Sequence, residues 1–317
     1  MVMEFFHSIQ SMISIILMII AGYQLTVKGW LDATIGRAFA RLITNVALPC
    51  YMIWNLLSSF NKALLLELAK GMLVPFASIA LSFVLAYATA KLIRVPRQRR
   101  GIFRSMFFVS NSIFIGLPVN LALFGEASVP YVLLYYIANT TFFWTVGVGG
   151  IQQDGSKTPG IDWRGVAGKV FSPPLLGFLL AMALILLGWQ LPVFVMDTCH
   201  YLGNLTTPLS MLFIGLTIRS VDLKRLEFSR DMAAVLAGRF IVAPAVIFAV
   251  AQLLPLPLLM QKVFIIQAAL PVMTQTAIVA QSYGADAKYG AVVTTLSTIV
   301  GMFVIPVYMA LFAVAGW

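Results

Sequence analysis

The chain has 317 residues, of which 61% are apolar and only 10% charged, with a mean hydropathy of +0.95. Soluble domains carry about 25% charged residues, so these values exclude a soluble globular protein and describe an integral membrane protein. The net charge of +10 would suit nucleic acid, but its placement along the chain excludes that partner as well.

Ten apolar stretches are each about 20 residues long, enough to cross a bilayer as helices. They run over 5–25, 35–58, 69–92, 104–124, 129–150, 167–188, 194–218, 232–253, 261–283 and 289–313. The longest clearly polar linker is 152–164. Eighteen of the 21 Lys and Arg residues fall in or beside the loops after spans 1, 3, 5, 7 and 9. Only Lys62, Lys70 and Lys262 lie on the other side. The positive-inside rule puts the eighteen in the cytoplasm and both termini outside. The basic cluster VPRQRR (95–100) reads as a topology signal beside anionic lipid. No Lys or Arg precedes the first apolar run, so the first span is expected to be retained rather than cleaved. The two cysteines, Cys50 and Cys199, and the isolated His7 and His200 have no metal-ligand spacing, and no cofactor is expected.

Several spans carry residues that a lipid-facing helix should avoid. Span 2 holds Asn45 and Pro49, and span 7 holds Asn204 and Pro208. An Asn four residues before Pro can bond a carbonyl that the proline leaves open, which reads equally as kink stabilisation or as substrate contact. Span 4 contains SNSIFIGLPV (110–119), with Asn111, Ile115, Gly116 and Pro118. Span 5 contains Asn139 a turn after Tyr135 and Tyr136; Asn139 could face a cavity or bond to a neighbouring helix. Arg239 lies about two turns into span 8, where it could attract an anion or snorkel to the cytoplasmic face. Span 9 contains QAALPVMTQTAIVAQ (267–281), with Pro271, Thr274, Gln275, Thr276 and Gln281.

At an offset of 159 residues the chain repeats itself. Gly29-Trp30 meets Gly188-Trp189, Asn45 meets Asn204, Pro49 meets Pro208, Met52 meets Met211, Pro96 meets Pro255, and Phe124-Gly125 meets Tyr283-Gly284. Spans 1–5 and 6–10 therefore read as a duplication. Because five is odd, the second copy enters from the opposite side, and the halves are inverted repeats. The expected division is 1–150 for the first repeat, 151–165 for a short cytoplasmic linker and 166–317 for the second. Inverted repeats with broken helices at corresponding positions are characteristic of secondary transporters. The half-helix after each break presents free N–H groups and about +0.5 charge. Two such ends make a seat for an anion.

All eleven Asp and Glu residues fall in loops or at span ends. Proton pumps and sodium–proton exchangers place carboxylates at depth, so a carboxylate-pair antiporter and a cationic substrate are both disfavoured. No nucleophile–base arrangement, metal cluster or phosphate loop is present, so neither an enzyme nor an ATP-driven motor is expected.

SNSIFIGLPVNLALFG (110–125) before a Tyr-rich span, together with NVALP (45–49), NLTTPLSMLFIGLTI (204–218) and AALPVMTQTAIVAQSYG (268–284), resembles the bacterial auxin efflux carrier family. Proteins described as malate and malonate permeases belong to it, and it is related to the plant PIN-type auxin carriers. The resemblance spans nearly the whole chain. It implies an all-α membrane protein of ten transmembrane helices in the sodium–bile-acid symporter-like fold. Helices 1, 2, 6 and 7 would form a scaffold that dimerises, and helices 3–5 and 8–10 a transport domain. Helices 4 and 9 would cross at their breaks, beside which the substrate carboxylate binds. Asn111 and Pro118 match the family's Asn and crossing proline, and Pro271 matches a proline of helix 9. The plant carriers' second helix-9 proline is Thr276 here, and their long cytoplasmic loop is reduced to 152–164.

The resulting expectation is a multi-pass cell-membrane transporter (inner membrane in a bacterium) for a small organic anion, working by elevator-type alternating access. Asn111, Ile115, Gly116, Pro118, Asn139, Pro271, Gln275, Thr276 and Asn45 are the candidate substrate-binding residues. Pro118, Pro271, Pro49, Pro208 and Asn204 are the candidate kink residues. The expected partners are the anion, the lipid bilayer, a second copy of the chain and a coupling ion, H⁺ or Na⁺. A Na⁺-coupled symporter with oxygens from Thr274, Gln275, Thr276 and Gln281 is the alternative. A non-transporting sensor or subunit is a third reading, against which the lack of a soluble output domain counts.

Overall fold

A computed structural model describes residues 2–62, 71–155, 172–220 and 228–317. Residues 156–165 of the expected linker and the first residues of the expected spans 3 and 6 lie outside them. Among the described residues the chain is helical, with one isolated bridge and no strand. In chain order the helices are α1 (Val2–Val27), α2 (Ala33–Leu42), α3 (Leu48–Ser59), α4 (Leu73–Leu92), α5 (Arg100–Phe108) and α6 (Gly116–Phe124). Next come α7 (Val129–Phe142), α8 (Val148–Asp154), α9 (Pro173–Leu187), α10 (Val193–Gly203) and α11 (Thr206–Ser220). The last are α12 (Arg230–Ala237), α13 (Ala243–Ala251), α14 (Leu258–Ala268), α15 (Gln275–Tyr283) and α16 (Ala287–Val314). Continuous helical stretches over Leu73–Leu92, Glu126–Asp154, Val193–Ser220, Arg230–Ala251 and Ala287–Val314 are long and apolar enough to cross a membrane.

Three π-helical turns join neighbouring segments: Ile43–Ala47 between α2 and α3, Phe143–Gly147 between α7 and α8, and Gly238–Val242 between α12 and α13. Two have a local cause. Pro49 and Pro244 are the second residues of α3 and α13. A proline ring clashes with the carbonyl four residues back and cannot donate to it, and the widened turn relieves that clash. For Pro244 the released carbonyl is that of Phe240, which accepts instead from the Tyr308 hydroxyl at 2.6 Å. Asp32 starts α2, its carboxylate accepting from Thr34 N and Ile35 N at 2.8 Å, a standard N-cap.

Burial follows the logic of a lipid solvent. Leu92, Leu253, Phe303 and Val314 are exposed, whereas Asn55, Asn120, Asn139, Gln267, Ser297 and Arg239 are buried. Lipid is as apolar as leucine, so helices associate through close packing and polar contacts. Two glycine contacts show the packing. A Cβ on Gly215 would sit 2.2 Å from Ile19 O, and one on Gly22 2.4 Å from Leu212 O, which brings the α1 and α11 backbones together. A Cβ on Gly101 would lie 1.9 Å from Gly150 O, which brings α5 against α8. Elsewhere α3 packs on α9 and α10, α4 on α5, α7 and α13, and α15 on α16.

Candidate functional site

Two helical stretches are interrupted. Residues 109–115 separate α5 from α6, and residues 269–274 separate α14 from α15. The interruptions meet. Ser110 and Val272 form an antiparallel bridge, and Asn111 N donates to Pro271 O at 2.9 Å.

Extended backbone at membrane depth is tolerated only where its polar groups find protein partners, and here those partners can be named. Ser110 N donates to Asn139 Oδ1 at 2.9 Å, and Asn139 Nδ2 donates to Ser110 O at 2.8 Å. The Asn139 amide thus takes the place of a neighbouring strand. Val272 N donates to Ser297 Oγ at 3.1 Å, and Gln267 Nε2 donates to Ser112 O at 3.2 Å. The buried Arg239 guanidinium donates to Leu270 O at 3.1 Å and to Ala268 O at 2.5 Å. Ser297→Ala would leave the Val272 N–H unpaired in a buried site. We expect it to lower stability by about 1–3 kcal/mol, read as a lower midpoint of thermal unfolding in detergent; an unchanged midpoint would show that the bond contributes nothing.

Pro118 does not stand at the break itself. It is the third residue of α6, where its missing N–H had no intrahelical acceptor. Gly116 opens the same helix for a steric reason. A Cβ there would come within 2.5 Å of Leu270 Cδ1 and 2.6 Å of Gln267 Oε1.

A cavity of about 240 Å³ lies against the two interruptions. One wall comes from them: Asn111, Ser112, Ile113, Phe114, Met273 and Gln275. Tyr136, Thr140 and Trp144 of the α7 stretch form a second wall. Thr44 and Leu48, at the α2–α3 junction, and Ser172–Pro174, at the start of α9, form the third. Asn111 Nδ2 donates to Thr274 Oγ1 at 2.9 Å, which fixes the amide at the rim. The Tyr136 and Ser172 hydroxyls are 2.7 Å apart. Thr140 is buried beside Tyr136, and Gln275 Oε1 has no hydrogen-bond partner. The walls therefore hold several polar groups, one of them unsatisfied, in a mostly apolar pocket, the usual composition of a small-molecule site.

The candidate residues separate into groups. Asn111 and Gln275 line this cavity. Ile115 and Pro271 line a smaller one, about 20 Å³, against Ile15, Met211 and Thr298. Gly116, Pro118, Asn139 and Thr276 are buried around the interruptions without lining the larger cavity. Asn45 is exposed, and its neighbour Thr44 reaches the cavity in its place. Asn204 and Pro208 are exposed at the α10–α11 junction. Arg239 neither snorkels nor lines the cavity, for it is fully buried against main-chain carbonyls.

Sequence reasoning missed Thr44, Thr140, Trp144, Ser172, Gln267 and Ser297. One signal was present: Tyr136, Thr140 and Trp144 recur every fourth residue, which places them on one face of a helix. The others carry no local signal, because their partners are distant in sequence. The same holds for Glu126. This loop carboxylate accepts from the Tyr51 hydroxyl and, at 2.7 Å, from Asn55 Nδ2, which ties the α6–α7 turn to α3.

The chain matches the membrane transport protein family over residues 7–159 and 165–309. It is similar to an uncharacterized transporter of Methanocaldococcus jannaschii, 24% identical over 301 residues that cover 93% of this chain and 95% of that protein. It is also similar to an uncharacterized transporter of Methanothermobacter thermautotrophicus, 25% identical over 311 residues that cover 96% of this chain and 99% of that protein. A family match over nearly the whole chain, on a helical frame with several membrane-length apolar helices, identifies the protein as a multi-pass membrane transport protein of the auxin efflux carrier family.

Proposed function

We propose that the protein is a secondary transporter for a small organic anion, a mono- or dicarboxylate such as malate, malonate or an auxin-like acid. The observation that carries this reading is the cavity itself. It lies where two interrupted helices meet, it is walled partly by amides and hydroxyls, and among the described residues no carboxylate lines it. Two half-helices, α6 and α15, begin at the interruptions, Gln275 at the start of α15 lines the cavity, and the positive ends of both helix dipoles favour negative charge there.

The proposed architecture is ten spans in two inverted halves, with both termini outside and a cell-membrane location. Helix boundaries support the duplication. Adding 159 to the bounds of α6, Gly116–Phe124, gives those of α15, Gln275–Tyr283. The same offset carries Gly29 (φ 76°) to Gly188 (φ 69°), and Gly125 (φ 70°) to Gly284 (φ 73°). Movement would follow the elevator scheme, with α4–α8 and α12–α16 sliding on a dimerising scaffold of α1–α3 and α9–α11. Packing supports that division. α1 runs along α11 and α3 along α9 and α10, while α5 packs on α4 and α8 and α13 on α4. The cavity lies between the two groups, so sliding would change which side of the membrane it faces.

The test is a proteoliposome uptake screen of malate, malonate and indole-3-acetate under imposed Na⁺, H⁺ and voltage gradients. At least one carboxylate is expected to accumulate. If none moves under any gradient, and none raises thermal stability, the reading is wrong. A strict Na⁺ requirement would favour the symporter alternative.

A further inference from the structure

We propose that Arg239 sets the sign of the binding site; this rests on the anion-transport reading above. Where two broken helices meet, four ends converge, two C-terminal and two N-terminal. Each C-terminal end carries about −0.5 charge and each N-terminal end about +0.5. Four bare ends therefore nearly cancel, and the meeting point by itself prefers neither an anion nor a cation.

Arg239 removes that balance. It projects from the π-helical turn Gly238–Val242 and is fully buried. Its donors go to the side of each interruption where the preceding helix ends. Nη2 reaches Ala268 O, the last residue of α14, Nε reaches Leu270 O two residues beyond it, and Nη1 lies 3.5 Å from Phe107 O at the end of α5. Gly238 allows this approach, since a Cβ there would meet the Phe107 ring at 2.4 Å. The guanidinium keeps its proton under all ordinary conditions. No described carboxylate pairs with it: the one ion pair among the described residues is Arg99–Asp286, at 3.2 Å.

The two negative poles are thus offset by one fixed cation, which leaves the N-terminal poles of α6 and α15 unopposed. Both helices have nine residues, and Gln275, the first residue of α15, lines the cavity. Gln275 supplies a second, independent sign of a ligand: its Oε1 has no hydrogen-bond partner and the residue stands in the cavity wall. Arg239 would act from behind the main chain, so it is a positioning and charge-setting residue that touches no substrate.

Two substitutions separate charge from scaffolding. Arg239→Lys keeps the charge, but a single ammonium cannot hold carbonyls on two elements in a fixed fork. Arg239→Gln removes the charge and keeps two N–H donors. Purified protein would be titrated with malonate, L-malate and indole-3-acetate, each against its neutral amide, with thermal stability recorded in parallel. The wild type is expected to prefer each acid that it binds over the amide. In Arg239→Gln that preference should fall about tenfold or more, the order of a unit charge acting through protein at an effective dielectric near 20, with amide binding unchanged. Arg239→Lys should keep the preference while losing thermal stability. If Arg239→Gln weakens acid and amide equally, or leaves the preference intact, the charge-setting role is overturned and the anion reading survives. If Arg239→Gln does not fold, the wild type and Arg239→Lys decide: equal binding of acid and amide by either one overturns the proposal. If the wild type binds none of the three acids, both readings fall.

Discussion

Replacing Asn111 with alanine is expected to cut carboxylate transport by about 10- to 100-fold, the range that follows from losing one hydrogen bond to a charged group in a partly dry site. The residue sits at the contact of the two interruptions. Its N–H holds Pro271 O at 2.9 Å, its carbonyl accepts from Gly116 N at 3.0 Å, and its amide donates to Thr274 Oγ1 at 2.9 Å while facing the cavity. Alanine keeps both main-chain bonds, so the fold should persist with only a small thermal shift. Initial uptake rate and substrate-induced thermal stabilisation in Asn111→Ala are the measurements. A variant that transports at the wild-type rate would remove Asn111 from the site and leave Thr44, Ser112, Tyr136, Thr140, Ser172 and Gln275 as its polar groups.

For stability alone, the largest effect is expected from Gly101→Ala. The added Cβ would lie 1.9 Å from Gly150 O and 2.7 Å from Ile151 N, and main chain cannot rotate away as a side chain would. The α5 and α8 backbones would have to part. The α8 carboxylate of Asp154, which accepts from Ile102 N at 2.8 Å, would then lose its hold on the first turn of α5. Overpacking usually costs about 1–3 kcal/mol, and rigid main-chain obstacles lie at the upper end or beyond. We expect a loss of about 3 kcal/mol or more, seen as a large drop in unfolding temperature and in the yield of monodisperse protein. Because α5 leads directly into the first interruption, binding should fall together with stability. A variant as stable as the wild type would mean that the two helices are less tightly joined than the structure shows.

Much of this architecture was legible in the sequence because lipid constrains it. Without water, backbone groups must bond within the chain, so apolar length alone marks helices, and the end of α4 and both ends of α16 were read to within two residues. The interruptions were legible for the same reason: Asn111, Gly116 and Pro271 are poor residues for an uninterrupted lipid-facing helix. Pro118 misled in detail. A proline in an apolar run marks a break but not which side of the break it occupies, and here it starts the following helix. Asn45 misled more strongly. One residue separates the exposed face from the cavity on a helix, and a π-helical turn shifts that phase, so Thr44 points inward.

The sequence by itself determined a membrane protein of helices, two unusual stretches in spans 4 and 9, and the absence of acids near them. These are properties of composition and local propensity, which need no knowledge of what lies nearby. The tertiary structure alone decided which groups satisfy the opened backbone and what charge surrounds it. Asn139 lies 29 residues from Ser110, Gln267 lies 155 from Ser112, and Arg239 lies 132 from Phe107. Read along the chain, Arg239 was a basic residue near a membrane edge with two equivalent fates. Its actual position is a third, behind the carbonyls of both broken helices. No local pattern encodes that position, because electrostatic energy depends on distance in space and on the dielectric of the packed surroundings.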